Sequence, residues 1–166
     1  LLGDAVGTVS TTTDEPSLAD DSAMTGGLSN VAEAGQTIYA VSGVDVNTAV
    51  ACEVGGNMRL FQRVSYAGTA TIGNEGLNDT LCSASQVSWM TLEGVGTVED
   101  ADAQALMQTL LDNASYQSTG MSGSGSLHIG LTNGLTLQLL VGDDTVSACG
   151  TWSCPEFFES FAAAVQ

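Results

Sequence analysis

The only two cations in this sequence, Arg59 and Arg63, are the side chains with the most distinctive binding chemistry. They lie four residues apart in residues 58–66, where apolar and polar side chains alternate in a pattern that is typical of a β-strand. Side chains of a strand alternate between faces, so both guanidinium groups are predicted on one face. Arginine binds carboxylates and phosphates through paired hydrogen bonds. The pair is a candidate ligand site, although such pairs more often bond to local carboxylates.

Adjacent carboxylates at Asp143 and Asp144 are a candidate calcium site, because Ca²⁺ prefers oxygen ligands and the pair lies in a predicted turn of a very acidic chain. No Asp-x-Asp-x-Asp-Gly loop accompanies them. Paired acids also occur in the active sites of glycosidases, so a hydrolase that uses such a pair is a further hypothesis, ranked third after an interaction domain and a ligand-binding lipoprotein. Acidic residues at turns and helix starts have structural roles as well.

Four cysteines, Cys52, Cys82, Cys149 and Cys154, are compatible with two disulfides. A Cys149–Cys154 bridge would close a short turn and leave Cys52 to pair with Cys82. Four cysteines allow three pairings, and buried free thiols are an equal alternative to a single disulfide. A closed zinc site is a poorer interpretation, because the cysteines do not form two close-spaced pairs and His128 is the only histidine.

Enzymatic activity is not expected. A Ser-His-Asp triad would have to use His128, which is predicted on the polar face of a hairpin strand, away from Leu127, Ile129 and Leu131. The sequence has no nucleophile elbow, and its glycine-rich run at residues 120–125 lacks the lysine and following helix of a phosphate loop. No cofactor is expected either.

Charge limits the partners of this chain. Two basic residues oppose nineteen acidic ones, which gives a net charge of −17 over 166 residues. Such a surface repels nucleic acid and anionic membranes. No stretch is long and apolar enough to insert into a bilayer. The expected partner is a protein or a small ligand, of unknown identity.

The periodicity predicts an α+β domain, with mostly antiparallel sheet packed against two helices. A helix is predicted over residues 100–113, where apolar side chains recur at helical spacing. A second helix is predicted from Pro155, at its first position. Asn133-Gly134 is typical of a two-residue hairpin turn. Further strands are predicted at residues 37–41, 50–54, 58–66, 87–98, 126–131, 135–141 and 145–149.

The first residues have a different composition, with Thr11-Thr12-Thr13, Pro16 and Gly26-Gly27. This composition favours a flexible tether over residues 1–27, left after removal of a leader, lipid anchor or membrane helix. A single domain is predicted over residues 28–166.

Residues 38–45, 49–54 and 60–64, together with the segment from Leu127 to Phe158, resemble uncharacterised exported domains of Gram-positive bacteria. Some of those are extracytoplasmic parts of anti-sigma-type membrane proteins, or lipoproteins. The resemblance implies a location outside the cytoplasm and a hairpin, third strand and closing helix at the C-terminal end. It carries over no catalytic residue.

These observations predict a non-enzymatic, extracytoplasmic domain for cell-envelope sensing or protein interaction, at the cell surface or secreted and anchored through its N-terminal segment. The alternative is a lipoprotein that binds a small ligand or calcium.

Overall fold

The computed structural model describes residues 1–13, 27–63, 77, 81–117, 123–148 and 150–166. The chain divides into two compact units, Leu1–Thr71 and Ile72–Gln166, called unit 1 and unit 2 here. The predicted α+β class with mostly antiparallel sheet is confirmed. The predicted single domain over residues 28–166 is replaced by these two units, because each builds a sheet of its own.

Unit 1 contains a five-stranded sheet in the order β2-β1-β3-β4-β5. Only the β1–β2 pair is parallel among its described pairs. The strands are β1 (Leu2–Thr12), β2 (Gly27–Ser29), β3 (Thr37–Val41), β4 (Ala49–Val54) and β5 (Asn57–Gln62).

The flexible tether predicted over residues 1–27 is wrong for residues 2–12, which form β1 between β2 and β3. Residues 14–26 of that prediction lie outside the described residues. Val9 of β1 is buried with Ala32 and Cys52 in a small apolar cluster, against which Ile38 and Phe61 pack. Burial of Val9 and the pairing of β1 with β3 hold this segment in the sheet.

Unit 2 contains a seven-stranded sheet in the order β7-β6-β9-β10-β11-β12-β8, antiparallel in every described pair. Its strands are β6 (Val87–Leu92), β7 (Gly96–Glu99), β8 (Ser115–Gln117), β9 (Gly125–Leu131), β10 (Thr136–Val141), β11 (Thr145–Ser147) and β12 (Thr151–Ser153). A short 3₁₀ turn, Ala84–Gln86, precedes β6.

Helix α1 (Asp100–Asn113) has the predicted bounds, and α2 (Pro155–Ala164) begins at the predicted proline. Asp100 and Asp102 lie in the first turn of α1, where the positive end of the helix dipole stabilises acidic side chains. The helix packs against β6 and α2, burying one stripe: Ala103, Leu106, Met107 and Leu110.

The run at residues 87–98, predicted as one strand, is a hairpin instead. The β6 and β7 strands pair across the turn at residues 93–95, where the Val95 amide donates to the Leu92 carbonyl at 3.0 Å. Gly94 adopts a φ of 76°, which an L side chain rarely adopts. Gly94 therefore makes a turn that divides the predicted strand into two.

Candidate functional site

Arg59 lies on β5, an edge strand that pairs with β4 on one side and with no described strand on the other. The amide of Arg63, just beyond the strand, donates to the Thr48 carbonyl at 2.9 Å. Backbone groups of an antiparallel strand alternate in direction, so residues 57, 59, 61 and 63 bond towards β4. The N–H and C=O groups of Met58 and Leu60 consequently face the open edge.

The open edge of β5 is apolar as well as rich in hydrogen-bonding groups. Met58 is 43% exposed and Leu60 is 55% exposed. A groove of about 460 Å³ lies beside Leu60, and we call it the edge groove. It is lined by Val31, Val54, Arg59, Leu60 and Phe61. An extended chain with apolar side chains could pair with the open backbone groups and bury the exposed apolar surface.

The two arginines have different surroundings. Arg59 lines the edge groove, is exposed, and forms no ion pair or hydrogen bond through its side chain with the described residues. Arg63 does not line the groove; its Nη1 donates to Asn47 Oδ1 at 3.4 Å, next to a turn in which the Asn47 amide donates to Asp45 Oδ1 at 2.7 Å. The structure therefore places Arg59 on the wall of the edge groove and Arg63 in contact with the turn before β4.

Asp143 and Asp144 form the predicted turn between β10 and β11, and both are exposed. The Asp144 carbonyl accepts a hydrogen bond from the Cys154 amide at 2.9 Å. Asp143 lies with Glu93 and Phe158 on the wall of an open cleft of about 450 Å³. Within the described residues, no group of three or more His, Cys, Asp or Glu side chains converges to hold a metal ion. The calcium hypothesis therefore gains no further protein ligands from the described part of the chain.

The cysteines do not form the predicted disulfides in this structure. Cys52, Cys82 and Cys154 are buried free thiols, which does not support a Cys52–Cys82 or a Cys149–Cys154 bridge. Cys149 itself lies outside the described residues. The three buried thiols pack as small apolar side chains, the alternative that the sequence left open.

Burial also sets the chemistry of the thiols in unit 2. It raises the pKa of Cys82 from 9.0 to about 12. Burial raises the pKa of Cys154 too, against the lowering effect of a hydrogen bond from the Phe157 backbone. The folded state thus favours the neutral thiols, which are poor nucleophiles and poor metal ligands at neutral pH.

We expect the stability of unit 2 to fall as the pH rises from about 9 towards 12. A thiol whose pKa is higher in the folded state stabilises that state below the unfolded pKa, and this contribution is lost as pH rises through the folded value. The chain has no lysine to titrate over the same range. Urea unfolding over this pH range measures the slope. Cys82→Ala should flatten it and Cys52→Ala, in unit 1, should not; an unchanged slope in Cys82→Ala would contradict the assignment.

His128 lies on the polar face of β9, as predicted, while Leu127 and Ile129 are buried on the other face. A second groove, of about 290 Å³, runs beside it and we call it the outer groove. It is lined by Thr91, Glu93, Ser126 and His128. No sequence pattern marks Glu93 or Thr91, because only the pairing of β6 with β9 brings them beside His128.

Comparisons with protein-family models, with curated proteins and with solved structures found no match. The resemblance to exported domains of Gram-positive bacteria therefore stays a prediction. Among the described helices, none has the length and apolar character needed to cross a membrane.

Proposed function

We propose that this chain is a non-enzymatic protein-interaction domain that works outside the cytoplasm and binds an extended segment of a partner protein along β5. The observation that carries the proposal is the open edge of that strand. Met58 and Leu60 direct backbone donors and acceptors away from β4 and expose apolar side chains beside them. Addition of a strand from another protein satisfies both kinds of group at once.

The charge of the chain restricts the partner. Two copies would each carry a net charge of −17, so pairing of β5 with a second copy is opposed by long-range repulsion at low salt. A strongly acidic partner is opposed in the same way. Arg59 nevertheless offers one guanidinium in the edge groove. The partner segment is therefore mostly apolar and carries one carboxylate that faces Arg59.

The location outside the cytoplasm rests on the shortage of cations and on the resemblance to exported domains. Neither the free thiols nor β1, which occupies part of the expected tether, adds support to it. Protease treatment of intact cells that express the full-length gene product tests the location. We expect cleavage without lysis, and complete protection of this domain would contradict it.

The binding surface is tested by Leu60→Pro. Proline removes the outward N–H and replaces the exposed leucine side chain with a smaller ring, and edge strands tolerate it where the N–H faces solvent. Peptides of twelve residues are selected on the wild-type chain from a random display library. They should bind the Leu60→Pro variant at least about tenfold more weakly. Peptides that bind this variant with unchanged affinity would contradict docking on β5.

Val46→Pro is the matched control. Val46 is also exposed. It is the second residue of a turn in which the Thr48 amide donates to the Asp45 carbonyl at 2.9 Å. Proline is favoured at the second position of such a turn. This variant should fold and bind the selected peptides like the wild type. Arg59→Gln should weaken only those peptides that contain an acidic residue.

A small anionic ligand in the edge groove is the second candidate, favoured by the position of Arg59 on its wall. Isothermal titration with a short-chain fatty acid separates the two functions. A fatty acid needs Arg59 but not the N–H of residue 60. Binding that Arg59→Gln abolishes and Leu60→Pro preserves would favour this second function.

A further inference from the structure

The outer groove lies on the face of the seven-stranded sheet that the helices leave open. On β6, Met90 and Leu92 are buried on the face against which α1 packs, whereas Thr91 between them is half-buried on the other. Thr91 pairs with His128 of β9, and His128 pairs with Gln138 of β10. Polar side chains from three neighbouring strands therefore lie in one row across this face.

An indole ring lies on the same face, two residue pairs along the strands from Thr91 and His128. Trp89 pairs with Gly130. A Cβ atom at Gly130 would overlap the indole, with Nε1 and Cε2 closest and Cδ1 at 2.6 Å. The missing side chain of Gly130 thus lets the ring pack directly against the strand backbone. Trp89 stays partly exposed in this position.

At the other end of the outer groove, Glu93 is held in one orientation. Its Oε2 accepts a hydrogen bond from the Ser126 amide at 3.0 Å, and its own amide donates to the Ser126 carbonyl at 3.0 Å. The Ser126 hydroxyl accepts a hydrogen bond from Gln138 Nε2 at 3.3 Å. Neither Glu93 Oε1 nor the His128 ring has a hydrogen-bond partner among the described residues. The outer groove therefore offers one oriented acceptor, Glu93 Oε1, and one imidazole that form no hydrogen bond with the described residues, while Thr91 and Ser126 already bond to neighbouring side chains.

This combination matches the surface of a sugar. The C–H face of a pyranose packs on an aromatic ring, and its hydroxyl groups bond to carboxylate, imidazole, amide and hydroxyl side chains. Trp89 and Glu93 are separated along the chain by about 13 Å if the strand is fully extended, which is longer than one sugar ring. An anionic polymer is excluded as the ligand, since Glu93 and a net charge of −17 repel it. The hydroxyl and imidazole groups of the outer groove fit the hydroxyl groups of a neutral sugar.

We propose that the outer groove, extended by Trp89, binds a neutral oligosaccharide of two or more units, with one ring on the indole and the next over Thr91 and His128, its hydroxyl groups reaching Glu93. The site lies in unit 2 and does not depend on the edge of β5. No bond is made or broken; the site binds without catalysis.

Three neutral hexasaccharides are the probes: cellohexaose, maltohexaose and the hexamer of N-acetylglucosamine. Each is titrated into the whole chain at up to millimolar concentration, with the indole N–H signals followed by NMR. Trp152 is the internal reference, because it is buried and its Nε1 donates to the Ala148 carbonyl at 3.0 Å. At least one probe should shift the Trp89 signal and leave that of Trp152 unchanged.

Glu93→Gln and Trp89→Ala should each weaken that binding by at least about tenfold. Asp112→Asn removes one exposed carboxylate from α1 and should leave the affinity unchanged. If Trp89→Ala fails to fold, His128→Ala replaces it as the second variant. The proposal is overturned if none of the three probes shifts the Trp89 signal, or if the affinity is the same in the wild type and in Glu93→Gln and His128→Ala. Tighter binding of an anionic glycan such as polygalacturonate would also overturn it.

Discussion

Phe157→Ala is expected to lower the free energy of unfolding of unit 2 by about 3–5 kcal/mol. Phe157 is 0% exposed, and its ring makes edge-to-face contacts with Phe158 at 5.2 Å and with Phe161 at 5.7 Å between centroids. Alanine would lose the transfer free energy of the ring and leave a cavity, since α2 is held against α1 and cannot close the space. Urea unfolding followed by circular dichroism measures the loss.

Phe158→Ala is the matched control on the same turn of α2. Phe158 is only half-buried and lies on the wall of the open cleft, so its removal should cost clearly less than that of Phe157. Equal losses for the two variants would contradict the assignment of Phe157 to the core.

Gly123→Ala is the second large effect, and we expect it to destabilise unit 2 by about 2–4 kcal/mol. A Cβ atom there would overlap the Val141 carbonyl oxygen and approach the carbonyl carbon at 2.5 Å and the Gly142 nitrogen at 2.8 Å. These are backbone atoms at the end of β10 and cannot rotate away. The φ of 149° adds strain for any L residue.

Gly134→Ala separates the effect of steric overlap from that of backbone strain. Gly134 also has a positive φ, 87°, but a Cβ atom there would meet nothing within 4 Å. Its substitution should cost only the conformational strain, about 1 kcal/mol. Thermal unfolding of both variants tests the difference, and a Gly123→Ala variant no less stable than Gly134→Ala would refute the close approach to β10.

Sequence periodicity predicted the elements whose information is local. The stripe through Leu106 and Leu110 specifies α1, and Pro155 specifies the start of α2. Asn133-Gly134 marks the β9–β10 hairpin, but the predicted two-residue turn is wrong, because three residues, 132–134, connect the paired Leu131 and Leu135. Each of these signals lies within a few neighbouring residues of the sequence. The residues themselves therefore carry it without help from distant partners.

Elements formed by distant pairing were not predicted. β1 has a mostly exposed pattern with glycines and an aspartate, and it becomes a strand by pairing with β3 and by burying Val9. β12 has only three residues and is held by β11, by β8 and by the packing of Trp152 on Tyr116, with ring centroids 5.6 Å apart. Propensity over so short a run is outweighed by tertiary contacts.

In the candidate sites, too, the sequence predicted what depends on local residue type but not what depends on distant pairing. Arg59 was predicted as a binding residue from its charge, but its place on an open edge follows from the strand order. Trp89 and Glu93 acquire a shared groove with His128 only through the register of β6 and β9. Strand order and register depend on the whole fold, so a single sequence gives the residue types and not the sites.

Amide hydrogen exchange along β5, measured with and without a selected peptide, tests docking at the open edge most directly. Residues 59 and 61 bond to β4 and should be protected in both states, whereas Met58 and Leu60 should exchange quickly alone and slowly in the complex. Protection that appears elsewhere, with the Met58 and Leu60 amides unchanged, would contradict the account.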